Sequence, residues 1–169
     1  MAQLRRGVSK FVATGGTTHR TYHLAGLAEA MGRAGRIEEG LRVLAEALAQ
    51  MHATGEGFHG AELYRLQGEF MLCREAGEVA CREAEACFRR ALALARQQQA
   101  RSLELRAAMS LTRLYQKQGR PAEARPILAE CYDWFTEGFD TRDLQEAKAL
   151  LEQVGSWSEI GALPLGAGT

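Results

Sequence analysis

The sequence predicts an all-α chain, an α-α superhelix of about eight helices paired as helix-turn-helix repeats. Two observations carry this reading. The first is self-similarity. The segment Tyr64-x2-Gln67-Gly68-x2-Met71, continued by Ala84-x3-Phe88-x2-Ala91-Leu92, has a copy on either side of it. Upstream stands Leu24-x2-Leu27-Ala28-x2-Met31 with Gly40-x3-Leu44-x2-Ala47-Leu48, and downstream Ala108-x2-Leu111-Thr112-x2-Tyr115 with Ala124-x3-Leu128-x2-Cys131-Tyr132. The second is the spacing inside each copy, which puts small residues where two helices cross and large apolar residues one turn away. In the outer copies a glycine, Gly35 or Gly119, falls between the two helices.

Ala28 and Gly68 lie 40 residues apart, as do Ala84 and Ala124. This alternation of small and large positions resembles a tetratricopeptide (TPR-like) repeat, although the basic unit of that family is about 34 residues. Inside the outer copies the small residues of the paired helices are 12 apart (Ala28 to Gly40, Thr112 to Ala124), and in the middle copy 16 apart (Gly68 to Ala84), so four residues near 75–78 read as an insertion. Long repeats with AELYRLQGEFML, AEACFRRALALARQQQARSLELRAAMSL and WFTEGFDTRDLQEAKALL resemble the C-terminal helical repeats of bacterial signalling ATPase proteins that carry an adenylate/guanylate cyclase or winged-helix regulator domain. Neither partner domain is expected here: no G-x4-G-K-[ST] loop occurs, and the remaining residues are too few for a cyclase.

Each element then has its local reason. Residues 3–14 carry Leu4, Val8, Phe11 and Val12 at helical spacing and read as the second half of a repeat, 1–16, lacking its first helix. Gly15 and Gly16 end it, and Thr17 or Thr18 caps the next helix. Helices are expected over 19–33, 36–53, 59–74, 79–98, 101–118, 121–137 and 141–154, which gives repeats at 21–54, 61–98 and 105–138 in one domain spanning 1–155. Gly55 and Gly57 mark a turn, and Pro121 suits a first helical turn. Pro126 predicts a kink or a later helix start, because it removes an internal hydrogen bond. The helix at 140–155 places Leu144, Ala147, Leu151 and Val154 on one stripe and reads as a solvated end cap, with 156–169 a flexible tail.

Charge bounds the partners. Lys plus Arg equals Asp plus Glu at 21 each, so no global field draws the chain to nucleic acid or to an anionic membrane. No apolar run reaches membrane-spanning length, and MAQLRRGVSKF lacks a signal-peptide core, so a cytoplasmic location is expected. Arginine supplies nearly all the basic side chains, Lys10, Lys117 and Lys148 being the lysines; with no asparagine this implies a GC-rich bacterial coding sequence. Cys73, Cys81, Cys87 and Cys131 have neither zinc-site spacing nor a secreted-chain context and read as structural thiols.

No catalytic constellation, cofactor site or metal site is predicted. His19 and His23 lie four apart, but no Glu follows His19 as in H-E-x2-H, and His52 and His59 beside the glycine turn read as solvated. Ser9, Ser102, Ser110, Ser156 and Ser158 lack a G-x-S-x-G setting. The resemblance implies instead a non-catalytic protein-interaction or scaffold module whose first helices line a concave groove. Tyr22, Ala25, Glu29 and Arg33, then Glu62, Arg65, Glu69 and Leu72, then Arg106, Met109, Arg113, Gln116 and Lys117 are the expected groove residues. Such a groove is acidic toward its middle and basic toward its C-terminal end. Arg65, Arg106, Arg113 and Lys117 would hold a carboxylate or phosphate. The expected partner is a protein or peptide, with a homodimer through Leu4, Val8, Phe11 and Val12. The second reading is a sensor of a small ligand or peptide, which a tight aromatic-lined pocket would favour; Tyr22 is the aromatic expected in the groove, with Tyr64 or Tyr115 near it.

Overall fold

A computed structural model describes residues 20–55 and 57–160, and every regular element among them is a helix. They are α1 (Arg20–Arg33), α2 (Ile37–Thr54), α3 (Gly60–Arg74), α4 (Glu78–Gln97), α5 (Arg101–Lys117), α6 (Pro121–Asp133) and α7 (Arg142–Ile160). The expected helix at 3–14, with Leu4, Val8, Phe11 and Val12, and the capping threonines Thr17 and Thr18 lie outside the described residues. The chain divides into two compact units inside α5, one ending at Ala107 and the other starting at Ala108.

In the first unit α1 packs along α2 and meets α3, while α3 packs against both α2 and α4. The buried faces are the apolar positions of the sequence copies: Leu24, Leu27, Ala28 and Met31 in α1, Leu44, Ala47 and Leu48 in α2, Ala84, Phe88, Ala91 and Leu92 in α4. Phe70 of α3 drives the closest approach. A β-carbon on Gly32 would stand 2.6 Å from its ring, and one on Gly40 would meet the ring edge more closely still. The ring therefore occupies a slot that exists because α1 and α2 each present a glycine there.

The four residues that lengthen the middle copy are not a loop. The connections α1–α2, α3–α4 and α5–α6 are each three residues long: Ala34–Arg36, Glu75–Gly77 and Gln118–Arg120. Helix α4 instead begins six residues before Ala84, whereas α2 begins three before Gly40 and α6 three before Ala124. Four residues are close to one α-helical turn of 3.6, so the addition extends the helix pair while keeping its buried face in register.

The two outer connections share their detail. Gly35 and Gly119 both have φ of 72°. In each, the following arginine closes the turn through its backbone N–H, Arg36 onto Met31 O at 2.9 Å and Arg120 onto Tyr115 O at 2.8 Å, the bond pattern of a Schellman C-cap. Each arginine then bonds a glutamate three residues on, Arg36 Nε to Glu39 at 2.6 Å and Arg120 Nε to Glu123 at 2.7 Å.

In the second unit α6 packs on α7, burying Ala124, Leu128 and Cys131 against Leu144, Ala147, Leu150 and Val154. Several expectations are corrected here. Helix α6 ends at Asp133, not 137, where Phe135 N–H turns back onto Tyr132 O at 3.1 Å. It starts at Pro121, so the later start expected as one alternative from Pro126 is not what occurs, and Pro126 lies inside the helix; the carbonyl that loses its donor belongs to exposed Ala122, where water can satisfy it. The buried stripe of α7 uses Leu150 in place of Leu151. The helix also runs on to Ile160, so residues 156–160 are helical and not tail. Gly155 fails to stop it because its φ is not in the left-handed region that terminates helices.

Candidate binding cleft

A cleft of about 430 Å³ opens in the first unit, walled by Tyr22, His23, Ala25, Gly26 and Glu29 of α1, by His59 and Glu62 at the start of α3, and by Leu103 and Arg106 of α5. It forms because α1 turns a glycine toward it: a β-carbon at Gly26 would meet no atom within 4 Å. At the mouth the Tyr22 ring, 54% exposed, lies against His59 with centroids 4.7 Å apart and against His23 at 5.5 Å. Phe58, 70% exposed, packs edge-on to His59 at 5.0 Å.

The charged wall is a chain of alternating sign. Arg106 reaches Glu62 at 3.1 Å and Glu29 at 4.0 Å. Glu62 is buried and also takes two hydrogen bonds from Arg65, at 2.8 and 2.9 Å, and Arg65 continues to Glu69 at 3.4 Å. At the outer end Glu29 pairs with Arg33 at 2.7 Å, whose side chain is mostly in water. The Arg65 guanidinium is held above its ordinary basicity. Burial alone would lower it, but the hydrogen bonds and charge of Glu62, with Glu69 and Glu29 nearby, outweigh that effect.

Of the expected groove residues, the fold brings Tyr22, Ala25, Glu29, Glu62 and Arg106 together around the cleft. Arg33, Arg65 and Glu69 stand behind or beside it in the same ion-pair chain. Arg65 and Arg106, expected to hold an anion, are both paired with the buried carboxylate of Glu62. Met109 is a core residue at 3% exposure and faces no groove. Arg113 and Lys117 belong to the second unit, where Arg113 pairs with Glu146 at 3.0 Å and Lys117 is exposed. Tyr64 and Tyr115 are buried; Tyr64 hydroxyl and His52 Nε2 are 2.9 Å apart, and Arg120 covers the Tyr115 ring. His52 and His59 are thus engaged with aromatic partners, not merely solvated.

The histidines and Gly26 escaped the repeat-based reading because it assigned positions by packing register alone. Gly26 sits on the exposed side of α1, where register carries no information, and His59 lies in a connection whose path the helical pattern does not specify. Among the described residues no group of three metal-capable side chains converges, and His19, the companion of His23, lies outside them. The Cys87 thiol is pushed up by burial and by Glu83, which keeps it protonated. Among the described residues no helix is long and apolar enough to cross a membrane. No known protein family, curated protein or solved structure matches the chain.

Proposed function

We propose that the chain is a non-catalytic interaction module of TPR-like helix pairs, working in the bacterial cytoplasm as part of a signalling or transcription-regulatory system. The cleft of the first unit is its partner-binding site. The observation that carries this reading is the cleft's wall: an exposed Tyr22 packed against His59 beside a rim of paired charges, an aromatic anchor with a polar surround. The shared Gly-Arg-x2-Glu turns at Gly35 and Gly119 support a repeated helix pair, because the same local bonds follow the same pattern of small and large residues.

Gly26 provides the test. A β-carbon there meets no atom within 4 Å, so leucine projects into the cleft while replacing a mid-helix glycine, and stability should hold or rise by about 0.5–1 kcal/mol. Peptides selected from a random displayed library against the full chain should lose binding to Gly26→Leu. Equal binding to the variant overturns the assignment of the cleft. The runner-up reading, a small-ligand sensor, draws on the cleft's volume, which lies in the range of small-molecule sites. A thermal shift with small metabolites and none with peptides would select it. Self-association through Leu4, Val8, Phe11 and Val12 rests on the sequence pattern, and light scattering of Val8→Glu with Phe11→Glu tests it.

A further inference from the structure

We infer that the cleft recognises an organic cation, the guanidinium or ammonium group of a partner's arginine or lysine, held between the Tyr22 ring and the Glu29 carboxylate. The inference rests on the reading of the cleft as the partner site and names what enters it. Three cleft groups bear charge, Glu29, Glu62 and Arg106, and they differ in how firmly they are committed. Glu62 is 7% exposed and is held by Arg65 and Arg106 at once, so a ligand would have to break buried charge-assisted bonds to use it. Arg106 is held against that same buried carboxylate, which makes it a poor anchor for an incoming anion.

Glu29 is different. Its side chain is 35% exposed, Arg106 approaches it to 4.0 Å, and its close partner Arg33 is a 75% exposed side chain on the same helix. An exposed i,i+4 pair contributes little, so an incoming cation displaces Arg33 into water at small cost. The Tyr22 face stands in the same wall, exposed and backed by His59. Tyr22 and Glu29 lie seven residues, about two helical turns, apart on the same helix and both line the cleft, so a cation entering it meets an exposed ring and a carboxylate, which favours a guanidinium or ammonium over a neutral group.

The test is an NMR titration of the full chain with acetyl-Gly-Arg-Gly-amide, its citrulline analogue, its glutamate analogue and free L-arginine. Citrulline keeps the shape of arginine and removes the charge. The expected result is saturable shifts at Tyr22, Glu29 and His59 with the arginine peptide, at least about tenfold weaker binding of the citrulline peptide, and weakening by about tenfold in Glu29→Gln. Tyr22→Ala should weaken it about two- to fivefold. Binding of the peptide but not of free arginine assigns the cation to a polypeptide partner; equal binding assigns it to a small molecule. Arginine and citrulline peptides that bind alike, a preference for the glutamate peptide, or no shift with any cation overturns the inference. If library peptides nonetheless lose binding to Gly26→Leu, the cleft remains the partner site and the cation assignment alone fails.

Discussion

A β-carbon on Gly68 would stand 2.6 Å from Cε1 of Phe88. The backbone is close as well, with Ala84 O at 3.1 Å, so α3 and α4 cross where α3 has no side chain at all. Any larger residue at 68 must push a fully buried ring or separate the helices. Gly68→Leu is therefore expected to lose about 1–3 kcal/mol or more of unfolding free energy in urea. Gly57→Ala, where the nearest atom is the Gln98 amide nitrogen at 3.3 Å, hydrogen-bonded to Gly57 O, and φ is not left-handed, should change stability far less. Equal losses in the two variants would show that the crossing is not where these residues place it.

This crossing was legible in the sequence, because a glycine three residues before Met71 and a phenylalanine four after Ala84 matched positions in the flanking copies. Helix positions were legible for the same reason: packing repeats with the turn of the helix. The wedge of Phe70 between Gly32 and Gly40 was not, since it joins three helices and no single helix's period encodes it. Ion pairing escaped too. Arg65 and Arg106 read as groove cations on a helical wheel, and only the burial of Glu62 reveals where their charge is used.

Glu104 gives the fold a pH dependence. It is 2% exposed and accepts 2.7 Å bonds from Arg96 and from Arg101. Burial by itself would raise its pKa, but the two guanidinium groups hold it below the ordinary carboxylate value of 4.5. A carboxylate depressed in the folded state contributes stability that is complete above its unfolded pKa and is lost as pH falls through the folded one. Chemical denaturation should show the wild type losing stability below about pH 4.5, and Glu104→Gln losing less over the same interval. Parallel curves for the two proteins would place the acid sensitivity elsewhere.

Arg106, Arg113 and Lys117, which share one face in the repeat pattern, should separate in mutagenesis. Arg113→Ala with Lys117→Ala removes exposed or half-exposed charge and should stay within about 0.5 kcal/mol of wild type. Arg106→Ala takes a charge-assisted bond from buried Glu62 and should lose about 1–2 kcal/mol. Glu62→Ala should lose more, on the order of 3 kcal/mol, because it leaves the Arg65 guanidinium, 11% exposed, without its main partner. Urea midpoints in the order Glu62→Ala, Arg106→Ala, double variant, from lowest to highest, support the ion-pair chain, and any inversion argues against it.

Thr112 stands at the small packing position that Ala28 and Gly68 occupy in the other copies. It is fully buried, and its hydroxyl finds no hydrogen-bond partner among the described residues. A buried hydroxyl without a partner has lost its water and gained nothing for it, a penalty of about 1–3 kcal/mol. Thr112→Val keeps the branched shape and removes the penalty, so it should raise stability by about 1 kcal/mol. Thr112→Ala tests space separately: it removes the hydroxyl and the methyl together, opening a void of two heavy atoms, and should fall below Thr112→Val. A destabilised valine variant would mean that the hydroxyl holds a buried water or a backbone carbonyl, and that this copy of the crossing is polar where the other two are dry.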